Sequence, residues 1–326
     1  MSFPAVEILL KVCARAKKEE SILVITDSVQ KHIARAFVDR GLEMGYQICC
    51  IEMPTRSAHG ENPPAPVAAA MKAAHIIFGA TKFSLYHSMA RKEAVKAGAR
   101  FVNMADYTLD MLSKGPLLVD FEKQREVVFA VAKVLTEGKW VKMTAPGGTD
   151  IQFSIEGRRA LAEPGMSVSA GETSSPPDIE AELAPVEGTA NGRVVIDGSI
   201  PQPGIGVIRT PIEFIVKDGF ITKIIGDSDQ AEVLRKQLAA SGNPNNYNIA
   251  ELGIGLNPLA TFSGSMLEDE GVYGSAHIGI GNNTAFPGGT LSADVHIDAM
   301  LRKPTIIIDG KPLLIGGELA EGVMPA

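Results

Sequence analysis

Histidine and carboxylate side chains at strand-like spacing stand near the C-terminal end of this chain. Val295-His-Ile-Asp298 places His296 and Asp298 two residues apart, and in a β-strand that spacing puts both side chains on one face. An imidazole and a carboxylate held together suit a divalent ion such as Zn²⁺, Mn²⁺ or Fe²⁺. The pair alone is a weak signal, because His-x-Asp also arises by chance.

Two upstream segments repeat one pattern and strengthen this prediction. Glu251-Leu-Gly-Ile-Gly255 and His277-Ile-Gly-Ile-Gly281 each place one ligand-type side chain and two glycines on the same face of a strand. Strand glycines often mark a place where a ligand or another backbone comes close. The alternative is that the glycines are bulges or packing points, with the glutamate and the histidine at strand ends. Because both segments occur together with the His-x-Asp pair, we favour a metal site.

The first half of the chain alternates short apolar runs with amphipathic segments. Near-continuous apolar strands in repeated β–α units predict a parallel, doubly wound sheet, which binds ligands at the carboxyl ends of its strands. Asp27-Ser-Val-Gln30 follows the first strand in place of a glycine-rich phosphate loop, so a nucleotide cofactor is not expected. The predicted strands cover residues 21–27, 47–53, 75–79 and 100–105, and the predicted helices cover 29–44, 64–74 and 87–97.

The second half follows a different rhythm. After a long helical stretch from Tyr107 to Glu137, short strands alternate with Gly, Pro and Asn turns, and Asp218-Gly219 is a strong hairpin signal. One helix, from Asp229 to Ala240, interrupts the strands. The sequence therefore predicts a flavodoxin-like α/β domain over residues 1–138 and a β-rich, metal-binding catalytic domain over residues 139–326.

Composition excludes several classes of partner. The net charge is −7, from 31 basic and 38 acidic residues, and no basic patch of the kind that binds nucleic acid is apparent. No apolar run reaches the roughly 18 residues of a membrane span, and the first helix lacks the features of a signal peptide. Cys49 and Cys50 fall in an apolar run that predicts a buried strand, and the odd cysteine count fits a reducing compartment. We therefore expect a cytoplasmic protein with a small-molecule substrate.

The ordered set of Glu251-Leu-Gly-Ile-Gly255, His277 and His296-Ile-Asp298 resembles the M29 family of metallo-aminopeptidases, the aminopeptidase T and S group. It also resembles a relative of that family, 2,5-dihydroxypyridine 5,6-dioxygenase. The likeness covers most of the chain, weakly in the N-terminal domain and more clearly from about Glu172 onward. Both relatives form homo-oligomers, so the resemblance implies a homo-oligomer here. Further landmarks are Gly171-Glu172, Val186-Glu-Gly-Thr189 and Asp218-Gly219.

The aminopeptidase resemblance implies a hydrolase with two divalent ions, Zn, Mn or Co. A metal-activated water would attack an amide bond of a small molecule or an aminopeptidase-like substrate. Glu251 would bridge the ions, and either Glu172 or Glu251 would act as general base. The implied metal ligands are Glu172, Glu251, His277, His296 and Asp298.

The dioxygenase resemblance implies a single Fe(II) held by two histidines and an aspartate. Its first histidine aligns with Glu251, and it has apolar residues where this chain has Glu172 and His277. His277, His296 and Asp298 would then form the two-histidine, one-carboxylate face of such enzymes. The presence of all five ligands favours the hydrolase, and the mononuclear ring-cleaving dioxygenase is the alternative.

Some features depart from the aminopeptidases. Thr284 stands where those enzymes place a tyrosine, and the gap between the last two histidines is short. Leu85-Tyr-His87-Ser88 resembles the turn that carries the dioxygenase's active-site histidine. His87 would orient substrate or move a proton to the leaving group, although it is equally consistent with a solvent-exposed helix start. A small-molecule amide hydrolase reconciles these features, and a non-catalytic, metal-stabilised binding protein is a third hypothesis.

Overall fold

The computed structural model of the chain describes residues 3–324 and falls into two units. The first comprises Met1–Glu122 and Pro164–Pro177, and the second comprises Lys123–Glu163 and Asp178–Ala326. This division differs from the predicted boundary at residue 138, because the chain returns to the first unit after entering the second. The return is made by a short strand that pairs in parallel with the predicted fourth strand.

The helices and strands follow the sequence signals closely. The helices are Pro4–Ile8 (α1), Lys31–Glu43 (α2), Ala65–Ala73 (α3), Met89–Lys96 (α4), Leu109–Ser113 (α5), Phe121–Glu137 (α6), Asp229–Ala239 (α7) and Met266–Asp269 (α8), with a π-helical segment at Leu9–Cys13 and 3-10 turns at Pro116–Leu118 and Pro244–Tyr247. The strands are Ser21–Asp27 (β1), Gln47–Met53 (β2), Ile76–Ala80 (β3), Arg100–Asn103 (β4), Trp140–Thr144 (β5), Asp150–Ser154 (β6), Leu161–Glu163 (β7), Thr173–Ser174 (β8), Glu180–Leu183 (β9), Asn191–Ile196 (β10), Ser199–Ile200 (β11), Gly206–Val207 (β12), Ile212–Lys217 (β13), Phe220–Ile225 (β14), Ile249–Gly255 (β15), Ser275–Gly281 (β16), His296–Arg302 (β17), Thr305–Ile308 (β18), Lys311–Ile315 (β19) and Glu318–Leu319 (β20).

The first unit contains a five-stranded parallel sheet in the order β2-β1-β3-β4-β8. Its strands β1, β3 and β4 are buried almost throughout, as the continuous apolar runs predict. The fold class predicted for this part of the chain is confirmed. One core cluster brings Leu23, Ile77 and Phe101 of the sheet together with Met71 of α3 and Ala94 of α4.

Two local predictions for the first unit need correction. The predicted helical stretch from Tyr107 to Glu137 is broken, because Gly115 adopts a positive φ of 88° and Pro116 cannot continue a preceding helix. The prediction that Cys49 and Cys50 are buried is wrong. Both are exposed, because β2 is an edge strand of the sheet.

The second unit is rich in antiparallel strands, as predicted. An eight-stranded sheet has the order β14-β13-β10-β6-β5-β18-β19-β20, and a five-stranded sheet has the order β17-β16-β15-β9-β7. Asp218, at a φ of 49°, and Gly219 form the predicted hairpin between β13 and β14. Ser228 caps α7 by accepting a hydrogen bond from the Ala231 N–H. Within residues 3–324, helices long and apolar enough to span a membrane are absent.

Candidate metal centre

The glycines of β15 and β16 make room for ligand-type side chains of the neighbouring strand. In the antiparallel register Glu251 lies opposite Gly279, and His277 lies opposite Gly253. A Cβ atom on Gly253 would lie 2.1 Å from the His277 ring atom Cε1, and one on Gly279 would lie 2.6 Å from the Glu251 Cβ. Both ligand-type residues stand inside their strands rather than at strand ends. The glycine pattern therefore has a specific cause, which is the side chain across the strand pair.

The same rule extends to β17. Asp298 lies opposite Gly279, and His296 lies opposite Gly281. A Cβ atom on Gly279 would also lie 3.1 Å from Asp298 Oδ1. His296 and Asp298 share one strand face, with 3.2 Å between His296 Nε2 and Asp298 Oδ1. The predicted pairing of these two side chains is thus present in the structure.

Glu251 lies at the centre of this face. Its Oε1 is 3.0 Å from His277 Nε2, and its Oε2 is 2.9 Å from His296 Nε2. Glu251 and His277 are only 2% and 1% exposed, whereas His296 is accessible at the edge of the site. Because its two oxygens face two different histidines, Glu251 has the geometry of a carboxylate shared between two groups of ligands.

Three groups of side chains have ligand atoms within 4.8 Å of one another. The first contains Glu180, Glu251 and His277, and the second contains Glu251, His296 and Asp298. The third is purely acidic. It consists of Asp178, Glu180 and Glu270. Glu251 and Glu180 each belong to two groups, so the three form one continuous cluster.

Three members of this cluster, Asp178, Glu180 and Glu270, were not predicted from the sequence, and the first two lie in one acidic segment. Asp178-Ile-Glu-Ala-Glu182 alternates carboxylates with apolar residues, and that period of two predicts a strand with one acidic face. In the structure Glu180 lies opposite Gly255, and Glu182 lies opposite Gly253. The acidic strand therefore extends the ligand face of the sheet by the same pairing of a large polar side chain with a glycine. The alternation was the signal that would have found it.

Several buried polar atoms of the cluster have no hydrogen-bond partner among the described residues. These atoms are Asp178 Oδ1, Glu180 Oε2, His277 Nδ1 and Asp298 Oδ1. Two of these oxygens have only an imidazole nearby, at 3.2 Å from His296 Nε2 to Asp298 Oδ1 and 3.4 Å from His277 Nε2 to Glu180 Oε2. Burying carboxylate oxygens that lack hydrogen bonds costs free energy, and a bound cation removes that cost. Carboxylates together with imidazoles suit Mn²⁺, Zn²⁺ and Fe²⁺. The residues present thus fit a divalent metal centre.

The electrostatics of the cluster support the same conclusion. Burial alone would raise the pKa of Glu251, but His277 and His296 outweigh burial and hold that pKa well below its ordinary value. Burial alone would lower the pKa of His277, but Glu251 and Asp298 raise it.

The outer carboxylates behave differently. Burial raises the pKa values of Asp178, Glu180 and Glu182 well above their ordinary range, and neighbouring carboxylates raise them further. The face therefore has more carboxyl groups than its two histidines can hold ionised, and without a cation the outer carboxyl groups favour the protonated form.

Glu172 is not part of the three groups. It lies in the first unit, directly before β8, where its Oε2 accepts hydrogen bonds from the backbone N–H groups of Val168 and Ser169 at 2.7 and 2.8 Å. This carboxylate stabilises the turn that leads into β8. Glu180, eight positions later in the chain, is the carboxylate that groups with Glu251 and His277.

His87 also belongs to the first unit. It is exposed and immediately precedes Ser88, which caps α4 by accepting a hydrogen bond from the Arg91 N–H. Its ring packs edge-on against Tyr86, with 5.1 Å between the ring centroids. A position at a helix start was one of the two interpretations of this residue, and its catalytic role stays a prediction.

The predicted face of His277, His296 and Asp298 is not one of the groups in the structure. Instead, Glu251 joins His296 and Asp298, and His277 groups with Glu180 on the other side of Glu251. The reason is the register, because Glu251 lies between the two histidines and contacts both. The triad that includes the His-x-Asp pair therefore has one imidazole and two carboxylates.

The chain is similar to known proteins along nearly its whole length. Residues 3–321 match the family described as NicX: 2,5-dihydroxypyridine 5,6-dioxygenase. The chain is 26% identical over 245 residues to 2,5-dihydroxypyridine 5,6-dioxygenase of Pseudomonas putida, which corresponds to 72% of this chain and 68% of that protein. These matches confirm the resemblance inferred from the sequence.

Two solved structures share the fold. The structure of 2,5-dihydroxypyridine dioxygenase from Pseudomonas putida KT2440 has a TM-score of 0.84 and 22% identity, covering 99% of this chain and 98% of that chain. Wild-type AmpT from Thermus thermophilus has a TM-score of 0.71 and 14% identity, covering 97% and 98%. At these identities the two structures establish the fold alone.

Proposed function

The chain belongs to the NicX family of 2,5-dihydroxypyridine 5,6-dioxygenases, and on that premise we propose that it is a metal-dependent dioxygenase that opens a hydroxylated nitrogen-containing ring. The observation that carries this proposal is the grouping of Glu251, His296 and Asp298 in a chain that matches the family over residues 3–321. The comparisons favour this function over the amide hydrolase. From the sequence alone, the hydrolase was the main prediction and the dioxygenase was the alternative. That the chain is an enzyme follows from its family.

In this proposal Glu251, His296 and Asp298 hold one divalent ion. A bound ion would supply Lewis acidity, and Fe(II) would also let electrons pass from the substrate ring, which is the reductant, to dioxygen. His296 presents Nε2 to the site, because its Nδ1 lies 2.7 Å from the Asn282 carbonyl oxygen, which can only accept a hydrogen bond. Glu251 stays ionised, because both histidines lower its pKa.

Glu180 is suited to move a proton. Its Oε2 is buried without a hydrogen bond, and burial together with neighbouring carboxylates raises its pKa. A carboxylate of raised pKa is a stronger base than an ordinary one. Glu180 Oε2 would accept the proton of a substrate hydroxyl group. Phe286, whose ring centroid lies 5.8 Å from that of His296, would shield the imidazole ring of His296 from water.

One observation favours a second candidate function, a hydrolase with two metal ions. The two oxygens of Glu251 face different histidines, and Glu180 completes a second group of ligands with His277. A shared carboxylate between two groups of ligands is typical of two-metal hydrolytic sites. In that function a metal-activated water would attack an amide bond.

The experiment that separates the two functions uses His277→Ala, with His32→Ala on the exposed face of α2 as the matched control. Protein purified without added metal is loaded anaerobically with Fe(II) and assayed for oxygen uptake with 2,5-dihydroxypyridine and other hydroxylated pyridines. The same protein loaded with Zn, Mn or Co is assayed on amides and aminoacyl substrates, and metal is counted per chain.

The dioxygenase proposal predicts one O₂ consumed per ring opened, one metal per chain, and oxygen uptake that falls less than about tenfold in His277→Ala. Two metals per chain, with amide hydrolysis lost in His277→Ala, would establish the second candidate instead. Neither activity in either loaded form would overturn both. The expectations of a homo-oligomer and of a cytoplasmic location stay predictions.

A further inference from the structure

The segment between β16 and β17, residues 282–295, connects the strand of His277 to the strand of His296. Its shape is fixed by buried Asn283. The Asn283 N–H donates to the Leu291 carbonyl at 3.1 Å, and Asn283 Oδ1 accepts from the Leu291 N–H at 2.8 Å. These bonds close the segment into a loop. A displacement of residues 283–291 would therefore also move the ends of both ligand strands.

Glu187, far away in the sequence, holds this loop. Its Oε1 accepts three hydrogen bonds, from Asn283 Nδ2 at 2.7 Å, from the Thr290 N–H at 2.9 Å and from Thr290 Oγ1 at 3.1 Å. Its Oε2 pairs with the guanidinium of Arg158, which is 8% exposed. Burial alone would raise the pKa of Glu187, but the hydrogen bonds from Thr290 and Asn283 outweigh burial and lower that pKa to about 2.

The loop in turn orients His296. The residue that precedes Asn283 is Asn282, whose carbonyl oxygen lies 2.7 Å from His296 Nδ1, and whose N–H donates to the Val295 carbonyl at 2.8 Å. The carbonyl fixes the proton of the ring on Nδ1 and leaves Nε2 facing Glu251 and Asp298. Each connection from Glu187 to the ring is a hydrogen bond or a peptide unit.

We propose that Glu187 is a positioning residue for the metal centre, which acts by holding the loop whose Asn282 carbonyl orients His296. The proposal rests on the proposed role of His296 as a metal ligand. Partners that orient a ligating histidine contribute about 10–100-fold to metal affinity. Glu187 acts one step further out than such a partner, so we expect about a tenfold effect.

The test compares the full-length wild type with Glu187→Ala, Glu187→Gln and the control Asp309→Asn. Asp309 is also a carboxylate that anchors a distant segment, since it accepts backbone N–H bonds from Lys139 and Trp140, but it lies beside the eight-stranded sheet. Zn²⁺ affinity is measured by competition with a chromophoric chelator. The ring N–H signals of the six histidines are recorded by NMR on the Zn²⁺-loaded protein, and His296→Ala identifies the His296 signal.

We expect Glu187→Ala to bind Zn²⁺ about tenfold more weakly and to lose the protection of the His296 Nδ1–H from exchange with water. Glu187→Gln keeps an oxygen for the loop and should recover most of both, while Asp309→Asn should leave both unchanged. If Glu187→Ala does not fold, Thr290→Val removes a single loop bond and replaces it in the series.

Three results would overturn the inference. Wild-type affinity with a protected Nδ1–H in Glu187→Ala would show that the loop does not depend on Glu187. An equal loss of affinity in Asp309→Asn would show that any lost carboxylate anchor weakens the centre. If the wild type itself binds no Zn²⁺, the proposed metal centre fails, and the inference fails with it.

Discussion

The two five-stranded sheets of this chain both contain buried strands, but the kinds of side chain that these strands bury differ. In the parallel sheet of the first unit, β3 is buried along its whole length by apolar residues. In the antiparallel sheet of the second unit, β15 and β16 are just as buried. One face of these two strands carries Leu252, Ile254, Ile278 and Ile280, but the other carries carboxylates, imidazoles and glycines.

This difference teaches how the chain separates stability from function. Buried apolar side chains stabilise the parallel sheet without any ligand. Buried carboxylates destabilise a fold unless a cation or a hydrogen bond compensates them. The antiparallel sheet therefore has an apolar face that stabilises it and a polar face that gains its full stability only when metal is bound.

The largest expected effect is a loss of metal affinity, and it distinguishes two glycine-to-alanine substitutions, one in each sheet. In Gly253→Ala the new Cβ would lie 2.1 Å from the His277 ring, so the ring must leave the site. The displaced ring would also push aside the ligand Glu251, which it contacts at 3.0 Å, so we expect metal affinity to fall about 100-fold. In Gly79→Ala of β3 the new Cβ would lie 3.0 Å from Phe101 Cζ, and a small shift of that ring relieves the contact.

Gly79→Ala should therefore keep wild-type metal affinity and lose about 1 kcal/mol of stability. Metal titration and chemical unfolding of both variants check this pair of outcomes. Equal losses of metal affinity would remove the distinction between the two sheets.

A smaller effect concerns pH. Burial raises the pKa of Glu163 in β7 from 4.5 to about 7, so the folded state binds this proton more tightly than the unfolded state. The corresponding stability is present below about pH 4.5 and is lost as pH rises through about 7. In chelator-treated protein, Glu163→Gln should raise the free energy of unfolding at pH 8 by about 2 kcal/mol, because Glu163 is partly exposed and solvent screens part of the shift.

The measurement is urea unfolding at pH 5 and pH 8. At pH 5 the variant and the wild type should differ little. Glu43→Gln, which removes an exposed carboxylate of α2, is the control and should show no gain at pH 8. A Glu163→Gln protein with unchanged stability at pH 8 would contradict the view that the polar face is under electrostatic strain.

The smallest expected effect is that of Glu172→Gln. Its carboxylate accepts two backbone N–H bonds in the first unit, and an amide oxygen can still accept one of them. We expect metal affinity within about twofold of the wild type, and a loss of about 1 kcal/mol in stability. The matched variant Glu180→Gln removes a carboxylate beside the proposed ligand Glu251 and should lower metal affinity about tenfold. A larger loss of affinity in Glu172→Gln than in Glu180→Gln would support Glu172 as a ligand.

Much of this fold is predictable from local pattern. Continuous apolar runs predicted β1 to β4, and Asp218-Gly219 predicted a hairpin, because each depends on residues close in sequence. The pair of His296 and Asp298 was predictable for the same reason, since a period of two fixes the face. The exposure of Cys49 and Cys50 was not, because strand order within a sheet decides which strand is at the edge.

The composition of the metal centre was only partly predictable. Glu251 and His277 were found through their glycines, although the partner that each glycine serves lies on another strand. Glu180 was missed because its strand carries no glycine, and the glycine opposite to it is Gly255 of β15. Glu172 was chosen through a resemblance rather than through a local pattern. For Glu180, Glu251 and His277, register across strands, which the local sequence does not encode, decides which side chains meet.

That register gives the metal centre a second consequence, during assembly of the sheet. A slip of one residue between β15 and β16 would bring the His277 ring opposite Leu252 or Ile254 instead of Gly253, and would turn the ligand side chains to the apolar face. Such misaligned sheets would bury charge and overlap side chains, and they could not bind an ion. The pairing of glycines with ligand side chains therefore destabilises the shifted registers. Bound metal would further stabilise the native register.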